Sequence, residues 1–344
     1  MNGRTTVRMT TVAEIANVSQ SAVSKVLNGR PGVSAELRRR VMDAVEATGY
    51  QWHRRAPRHG SVEVVFGSVG SALNAPLLRG FSAVLRAAGR PLTVSHADGD
   101  PDWLEHLLAH RPAGAVLVLS PVPPDVRRRL AEARLPTVVL DTIGDAPAEM
   151  NAVGATQWRG GALAAQHLTG LGHRRIALIT GPLDLVCCRA RFGGYLSALR
   201  EANIRPDRAL IRSVRFQAEP ARRVAHTLLD SHSAPTSFVT GNDLQALGVI
   251  EACTERGLRV PEDVSVVGFD DIDAATSSAP ALTTVRQPFE DMAAESIRVL
   301  GTVSDDPSLP PVRLDMSVDL VVRKSTGPAA KDDGRRLFPL PEGS

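Results

Sequence analysis

The stretch Met9–Gly29, MTTVAEIANVSQSAVSKVLNG, decides how the rest of the chain is read. Met9, Val12, Ala13, Ile15 and Ala16 recur at helical spacing and give a first short helix one apolar face. Asn17-Val18 makes a tight turn, because asparagine tolerates the left-handed backbone better than most residues. Ser19 suits the N-cap of a second helix, on which Val23, Val26 and Leu27 face inward. Gln20, Ser21, Ser24 and Lys25 are left outside: short or flexible hydrogen-bonding groups with one cation and no carboxylate. A helix that enters a DNA major groove needs such a face, because base edges there offer donors and acceptors. The helical pattern alone fits a plain helical bundle with a polar face as well.

The residue identities go further. Val12-Ala13, Ala16-Asn17-Val18-Ser19, Val23-Ser24-Lys25-Val26-Leu27 and Asn28 fall into one register without a gap, followed by Gly32-Val33-Ser34 and Gly49-Tyr50. This run closely resembles the N-terminal helix-turn-helix domain of the lactose/galactose repressor family. The resemblance implies a sequence-specific regulator, a repressor acting as a homodimer on a pseudo-palindromic double-stranded DNA operator. Gln20, Ser21 and Lys25 would then read base edges, and Ser19, Ser24 and Asn28 would hold phosphates.

A third helix is predicted from Ser34, with Ser34 as its cap and Glu36 in the first turn, where the helix dipole favours an anion. Leu37, Val41, Ala44 and Val45 form its inner stripe and Gly49 stops it. Arg38-Arg39-Arg40 either reaches phosphate or is simply a solvated face. Residues 51–60, QWHRRAPRHG, form a basic linker. In the resembling family this segment folds on DNA into a hinge helix whose leucine wedges into the minor groove. Here Trp52-His53 replaces the expected Pro-Asn, Pro57 follows Ala56, and His59 takes the wedge position. Proline keeps a helix intact only in its first turn. The hinge helix is therefore expected to be absent or displaced, with His59 and the basic charge still directed at the minor groove or phosphates.

Charge divides the chain in the same place. Residues 1–60 carry ten Lys/Arg against four acids, a net +6, which leaves −3 for the remainder of a chain whose total is +3. A basic head on a mildly acidic body points to a polyanion partner for the head alone. Three cysteines, two of them adjacent (Cys187, Cys188, Cys253), make no disulfide framework and fit a reducing cytoplasm. No run of apolar residues is long enough to span a membrane, and the N-terminus lacks an apolar signal-peptide core.

From Ser61 onward strands alternate with helices. Val62–Phe66, Leu92–Ser95, Ala115–Leu119 and Thr137–Leu140 read as buried strands, as do Ile176–Thr180, Leu210–Ser213, Ser237–Thr240 and Val264–Gly268. Helical stretches separate them, and a late helix at Phe289–Leu300 and a late strand at Ser317–Val322 follow. The fold class is α/β, with two βαβ series implying two doubly wound parallel sheets. Matching stretches such as Gly172-His173-Arg174-Arg175-Ile176-Ala177, Gly241-Asn242-Asp243 and Val267-Gly268-Phe269-Asp270-Asp271 extend the family resemblance over the body. It implies a periplasmic-binding-protein-like fold of two subdomains with an effector cleft between them. The expected organisation is a helix-turn-helix domain at 1–50, a linker at 51–60, an effector domain at 61–326 and a disordered tail at 327–344. The two subdomains would be about 61–156 with 287–316, and 157–286 with 317–326.

Ligands of open α/β sheets bind beyond the carboxyl ends of strands. Ser68, Asp141, Asn242 and Asp270 stand at such ends. A sugar needs paired acceptors and donors, with an aromatic face against its CH groups. Asp141 and Asp270 can accept, Arg191 and Asn242 can donate, and Phe216 and Phe289 can supply faces. A strand-end Asp can equally cap the next helix, and Arg191 can pair with Asp270 for structure alone. Arg191, Asn242, Asp270, Gln287 and Phe289 match ligand-contacting positions of the family, and Phe216 stands where relatives place a Trp or another aromatic. Thr156-Gln157 and Cys187 depart from the family's usual Asp-Asn and Ser, so the cleft is not tuned to the commonest ligands. Trp158 either lines the cleft or only packs. A carbohydrate effector is expected first and a nucleobase or nucleoside second.

Two other classes compete. Gly67-Ser68-Val69-Gly70 lacks the spacing of a dinucleotide fingerprint, and no Walker, GxSxG, HExxH or metal-spaced Cys/His pattern occurs, so neither an enzyme nor a cofactor or metal is expected. An exported sugar receptor fits the body but not the basic helical head.

Overall fold

The computed structural model describes residues 9–27, 33–48, 60–68, 70–120, 122–141, 147–231 and 233–329. Contacts divide the chain into Met1–Gly60 and Ser61–Ser344.

The head contains α1 (Met9–Ile15), α2 (Gln20–Leu27) and α3 (Ala35–Thr48). Val12, Ala13, Ala16, Val23, Val26, Val41 and Ala44 make its core, with Leu37 and Val45 packed against it. Asn17 takes the turn at φ +50°, and Ser19 Oγ accepts from the Ala22 amide at 3.2 Å, capping α2. Ser34 Oγ caps α3 in the same way, accepting from Leu37 N. Ile15, read as part of the apolar face, is 56% exposed. The α1 core line runs through Val12, Ala13 and Ala16, and a helix this short leaves its last residue on the flank. Arg40 is not a free phosphate ligand: its Nη2 donates to the Ala16 carbonyl at 2.6 Å and the Asn17 carbonyl at 3.1 Å, closing the C-terminus of α1. The linker expectations at Pro57 and His59, like Asn28, lie outside the described residues.

The body opens with β1 (Val62–Phe66), α4 (Asn74–Ala87), β2 (Leu92–His96), α5 (Trp103–His110), β3 (Gly114–Val118), α6 (Pro124–Glu132), β4 (Thr137–Leu140) and β5 (Asn151–Ala155). Next come α7 (Gln157–Gly170), β6 (Ile176–Thr180), α8 (Val186–Glu201), β7 (Ile211–Ser213), α9 (Ala218–Leu229), β8 (Ser237–Thr240), α10 (Asp243–Glu255) and β9 (Ser265–Asp270). The chain continues through α11 (Asp273–Ser277), β10 (Thr283–Arg286), α12 (Phe289–Asp305), β11 (Arg313–Met316) and β12 (Asp319–Val321). Among the described residues there are two six-stranded sheets, ordered β11-β5-β4-β3-β1-β2 and β12-β10-β9-β8-β6-β7. Every pairing is parallel except β12 against β10. The apolar runs in β1, β3, β4 and β6 are buried along their length, as strands covered by helices on both faces must be. Glu63 sits inside β1 at 1% exposure because Ser95 Oγ donates to it at 2.7 Å and His110 Nδ1 meets its other oxygen at 3.1 Å.

The chain crosses between the sheets three times: from β5 into α7, from β10 into α12, and from β11 to β12. Thr156 ties two of these crossings, donating its amide to Met316 and accepting from Val318 N on Oγ1. The late strand read at Ser317–Val322 corresponds to β12 alone, and β11, which joins the other sheet just before it, was not read. β5 is not legible locally, since it is Asn-Ala-Val-Gly-Ala and its register comes from β4 and β11. The segment read as a disordered tail begins ordered: Gly327 accepts from His173 Nε2 at 3.1 Å, and the Ala329 amide donates to Leu171.

Candidate functional site

The α7–α8 crossing sets the geometry. A Cβ on Gly161 would lie 2.0 Å from the Arg191 carbonyl oxygen, and one on Gly194 would lie 1.9 Å from the Trp158 carbonyl oxygen. Glycine at both positions lets the helix backbones touch, as in other small-residue crossings. This approach puts Gln157, the first residue of α7, beside Arg191 in α8. Arg191 Nε donates to Gln157 Oε1 at 2.8 Å, its guanidinium lies 3.7 Å from the Phe269 ring centroid, and Nη1 donates to the Gly241 carbonyl. Gln157 Nε2 donates onward to Gln287 Oε1 at 2.9 Å and to Asp141 Oδ1 at 3.3 Å. Gln287 Nε2 closes the network on Asp270 Oδ1 at 2.7 Å, and Arg191 Nη2 stands 3.7 Å from the same oxygen.

Asp141 and Asp270 end their strands with φ of +46° and +105°, the left-handed region that costs a non-glycine residue conformational energy. Asp270 Oδ1 faces Arg191, and Asp141 Oδ1 faces Gln157. Burial pushes the Asp270 carboxyl up to about 6, against the opposing pull of Arg191 and the Gln287 amide, while Asp141 adds to the rise. Burial raises Asp141 too, with Arg191 and Gln157 working against it and Asp315 with it. The Cys188 thiol bonds to Cys187 and lowers its pKa, helped by Arg191, while Cys188 itself is raised.

A cavity of about 540 Å³ adjoins the network. Asp141, Gln157 and Cys187 line it, with Val139, Val153 and Leu314 as apolar wall and Trp158, Arg159, Arg313 and Asp315 as further polar or aromatic groups. Of the eight residues read from sequence as effector contacts, the structure brings Asp141, Arg191, Asp270 and Gln287 into one network. The other four make no hydrogen bond to these side chains among the described residues, although Asn242 follows Gly241, whose carbonyl Arg191 engages, and the Phe216 ring lies against that glycine. Ser68 Oγ donates to Asp98 Oδ2 at 3.3 Å, and its carbonyl accepts from Asn74, bridging strand ends. Asn242 caps α10, its Oδ1 accepting from Gln245 N at 2.9 Å. Phe289 is 5% exposed and belongs to the core. Phe216 packs where a Cβ on Gly181 would come within 2.4 Å of its ring. In the sequence Gln157 stands out only as a departure from the family pattern, and nothing local marks Phe269 as the aromatic under Arg191. An amide opening a helix straight after a crossing strand was the available signal, but β5 had to be recognised first.

In the head, Ser19, Gln20, Ser21 and Lys25 are all exposed on or just before α2. Ser19 Oγ and Ser21 Oγ are 2.9 Å apart. The side chain of Ser24 lies outside the described residues.

Residues 8–52 match the model of bacterial regulatory proteins, lacI family, and residues 165–326 match a periplasmic binding protein-like domain. The HTH-type transcriptional repressor PurR of Mannheimia succiniciproducens is 30% identical over 326 residues, 91% of this chain and 97% of that protein. The chain belongs to the lacI family. This lacI-family protein is a DNA-binding transcriptional regulator of a ligand-responsive kind. Its fold matches that of a CelR–cellobiose complex, with TM-score 0.72 and 29% identity, covering 93% of this chain and 99% of that one. A lac repressor dimer bound to operator and the anti-inducer ONPF matches with TM-score 0.69 and 28% identity at the same coverage. No helix among the described residues is long and apolar enough to cross a membrane.

Proposed function

We propose that this regulator is a cytoplasmic repressor, a homodimer on a pseudo-palindromic operator, whose grip on DNA is set by a neutral carbohydrate. The supporting observation is the network Asp270–Gln287–Gln157–Arg191, which reaches the cavity at Asp141 and Gln157. It alternates donors and acceptors and balances its charges, which suits hydroxyl groups that both donate and accept. The likeness to a regulator solved with cellobiose supports the same class. Gln20, Ser21 and Lys25 read base edges, and Ser19, Ser24 and Asn28 hold phosphates. The remaining contact positions, Ser68, Asn242, Phe216 and Phe289, complete the effector site only if ligand closure brings them in.

The switch is linkage: ligand binds one arrangement of the body better and shifts the population of DNA-competent heads, with coupling of about 1–3 kcal/mol. The relatives named PurR support a nucleobase or nucleoside as the second reading. The experiment is thermal shift of the full chain against sugars, nucleosides and purines, followed by anisotropy on DNA selected from a random pool. A ligand at one hundred times its Kd adds about 2.7 kcal/mol of stability. Stabilisation by sugars that also changes DNA affinity is the expected result. Stabilisation by purines alone would replace the carbohydrate reading with the second one.

A further inference from the structure

The cavity is not confined to the buried network. β4, β5 and β11 lie side by side, with Leu140 opposite Val153 and Gly154 opposite Asp315. Asp141, one residue beyond Leu140, therefore stands level with Gly154 and Asp315 across three strands. Neighbouring strands lie about 4.8 Å apart, so the two carboxylates start from backbones roughly 10 Å apart. Between them Gly154 has no side chain, which leaves a trough. A Cβ there would sit 3.0 Å from Asp315 Oδ1, so the Asp315 carboxylate leans over the glycine. No hydrogen bond or ion pair among the described residues engages that carboxylate, although it adds to the raised pKa of Asp141.

Trp158 completes the arrangement. It follows Gln157 at the start of α7, lines the same cavity and remains 51% exposed, although Gln157 before it and Gly160 and Gly161 after it are buried. The indole rests on α8 at Gly193, where an added Cβ would come within 3.2 Å of Trp158 Cδ1. A half-open indole beside an unengaged carboxylate presents a ring with a face for CH groups and an acceptor for hydroxyls.

We propose that Trp158, Gly154 and Asp315 form a subsite for a second sugar ring. The effector is then a glycoside of at least two units, with one ring against Asp141 and Gln157 and the next over Gly154 against Trp158. This inference rests on the carbohydrate reading above. Arg313 supports the subsite from the same face of β11, two residues from Asp315, while its Nη1 is held by the Pro147 carbonyl at 3.1 Å.

The test uses the full chain and calorimetric titration with matched series: glucose with cellobiose and maltose, galactose with lactose, and xylose with xylobiose, alongside adenosine, guanosine and hypoxanthine. In the series that binds, the dimer is expected to bind at least about ten-fold tighter than its monomer. Trp158→Ala removes that advantage and leaves monomer affinity within about two-fold, and Trp158→Phe, which keeps an aromatic face, retains most of it. Asp315→Asn weakens the dimer and not the monomer. A monomer that binds as tightly as its dimer overturns the subsite and leaves the carbohydrate reading standing. So does a Trp158→Ala protein with an unchanged dimer-to-monomer ratio. Binding of nucleosides or hypoxanthine with no sugar binding overturns both together.

Discussion

Replacing Gln157 by leucine tests whether the network is organised by that residue. Gln157 is 8% exposed and makes three hydrogen bonds, from Arg191 at 2.8 Å, to Gln287 at 2.9 Å and to Asp141 at 3.3 Å. Leucine keeps most of the volume, so little of the effect is a cavity. Arg191 loses a charge-assisted acceptor, which costs about 1.5–3 kcal/mol, and Gln287 Oε1 loses its donor at about 1 kcal/mol. The long bond to Asp141 adds little. Together the body should lose about 3 kcal/mol, a large part of the stability of any domain. The assay is urea unfolding followed by tryptophan fluorescence in a Trp52→Phe background, so that Trp103 and Trp158 report the body. The midpoint should fall with an unchanged slope. Gln166→Leu is the control: that glutamine is exposed, bonds only Glu201 at 2.9 Å among the described residues, and should change stability by less than about 0.5 kcal/mol. A Gln157→Leu protein within about 1 kcal/mol of the parent would refute the reasoning, because Arg191 and Gln287 would have to be satisfied without it.

Gly194→Ala forces a Cβ into the Trp158 carbonyl and should destabilise the body by more than about 3 kcal/mol, whereas Gly170→Ala in α7 meets nothing within 4 Å and should stabilise it by about 0.5–1 kcal/mol; thermal unfolding of both decides whether the crossing is as close as described. Asp270, held at about 6, stabilises the fold while protonated: that contribution is complete below its unfolded value near 4 and is lost as pH rises through about 6. Ionising it in the fold costs about 3 kcal/mol, so urea midpoints should fall between pH 4 and about 7 in the parent, and the fall should be smaller in Asp270→Asn, where the raised Asp141 and Asp243 carboxyls still contribute. In the head, Lys25→Ala should cost about 1–3 kcal/mol of discrimination between selected and scrambled operator by anisotropy; full discrimination would remove Lys25 from the base-reading set. Arg40→Met should lower the stability of the head by about 1 kcal/mol, measured by amide exchange in α1, while leaving the salt dependence of DNA binding unchanged.

Features that depend on near neighbours were legible in the chain. The head follows from i, i+3 and i+4 spacing in α1 and α2, from Asn17 at a left-handed turn and from serine caps at Ser19 and Ser34, all within a few residues of the groups they satisfy. The strands rich in apolar residues over four or five positions, β1, β4 and β6 among them, were legible because burial on both faces favours such runs. Tertiary structure alone decided β5 and β11, whose side chains carry little strand preference and whose register is imposed by neighbours distant in the chain. It also decided that Asn242 caps a helix, that Phe289 is core and that Arg40 closes α1. Gln157 is the clearest case. Its partners lie 34 and 130 residues away, and they meet because two glycines let α7 and α8 touch. Hydrogen bonding between residues so far apart leaves no periodicity to read, since the chain between them is set by the packing of two sheets and not by the pair itself.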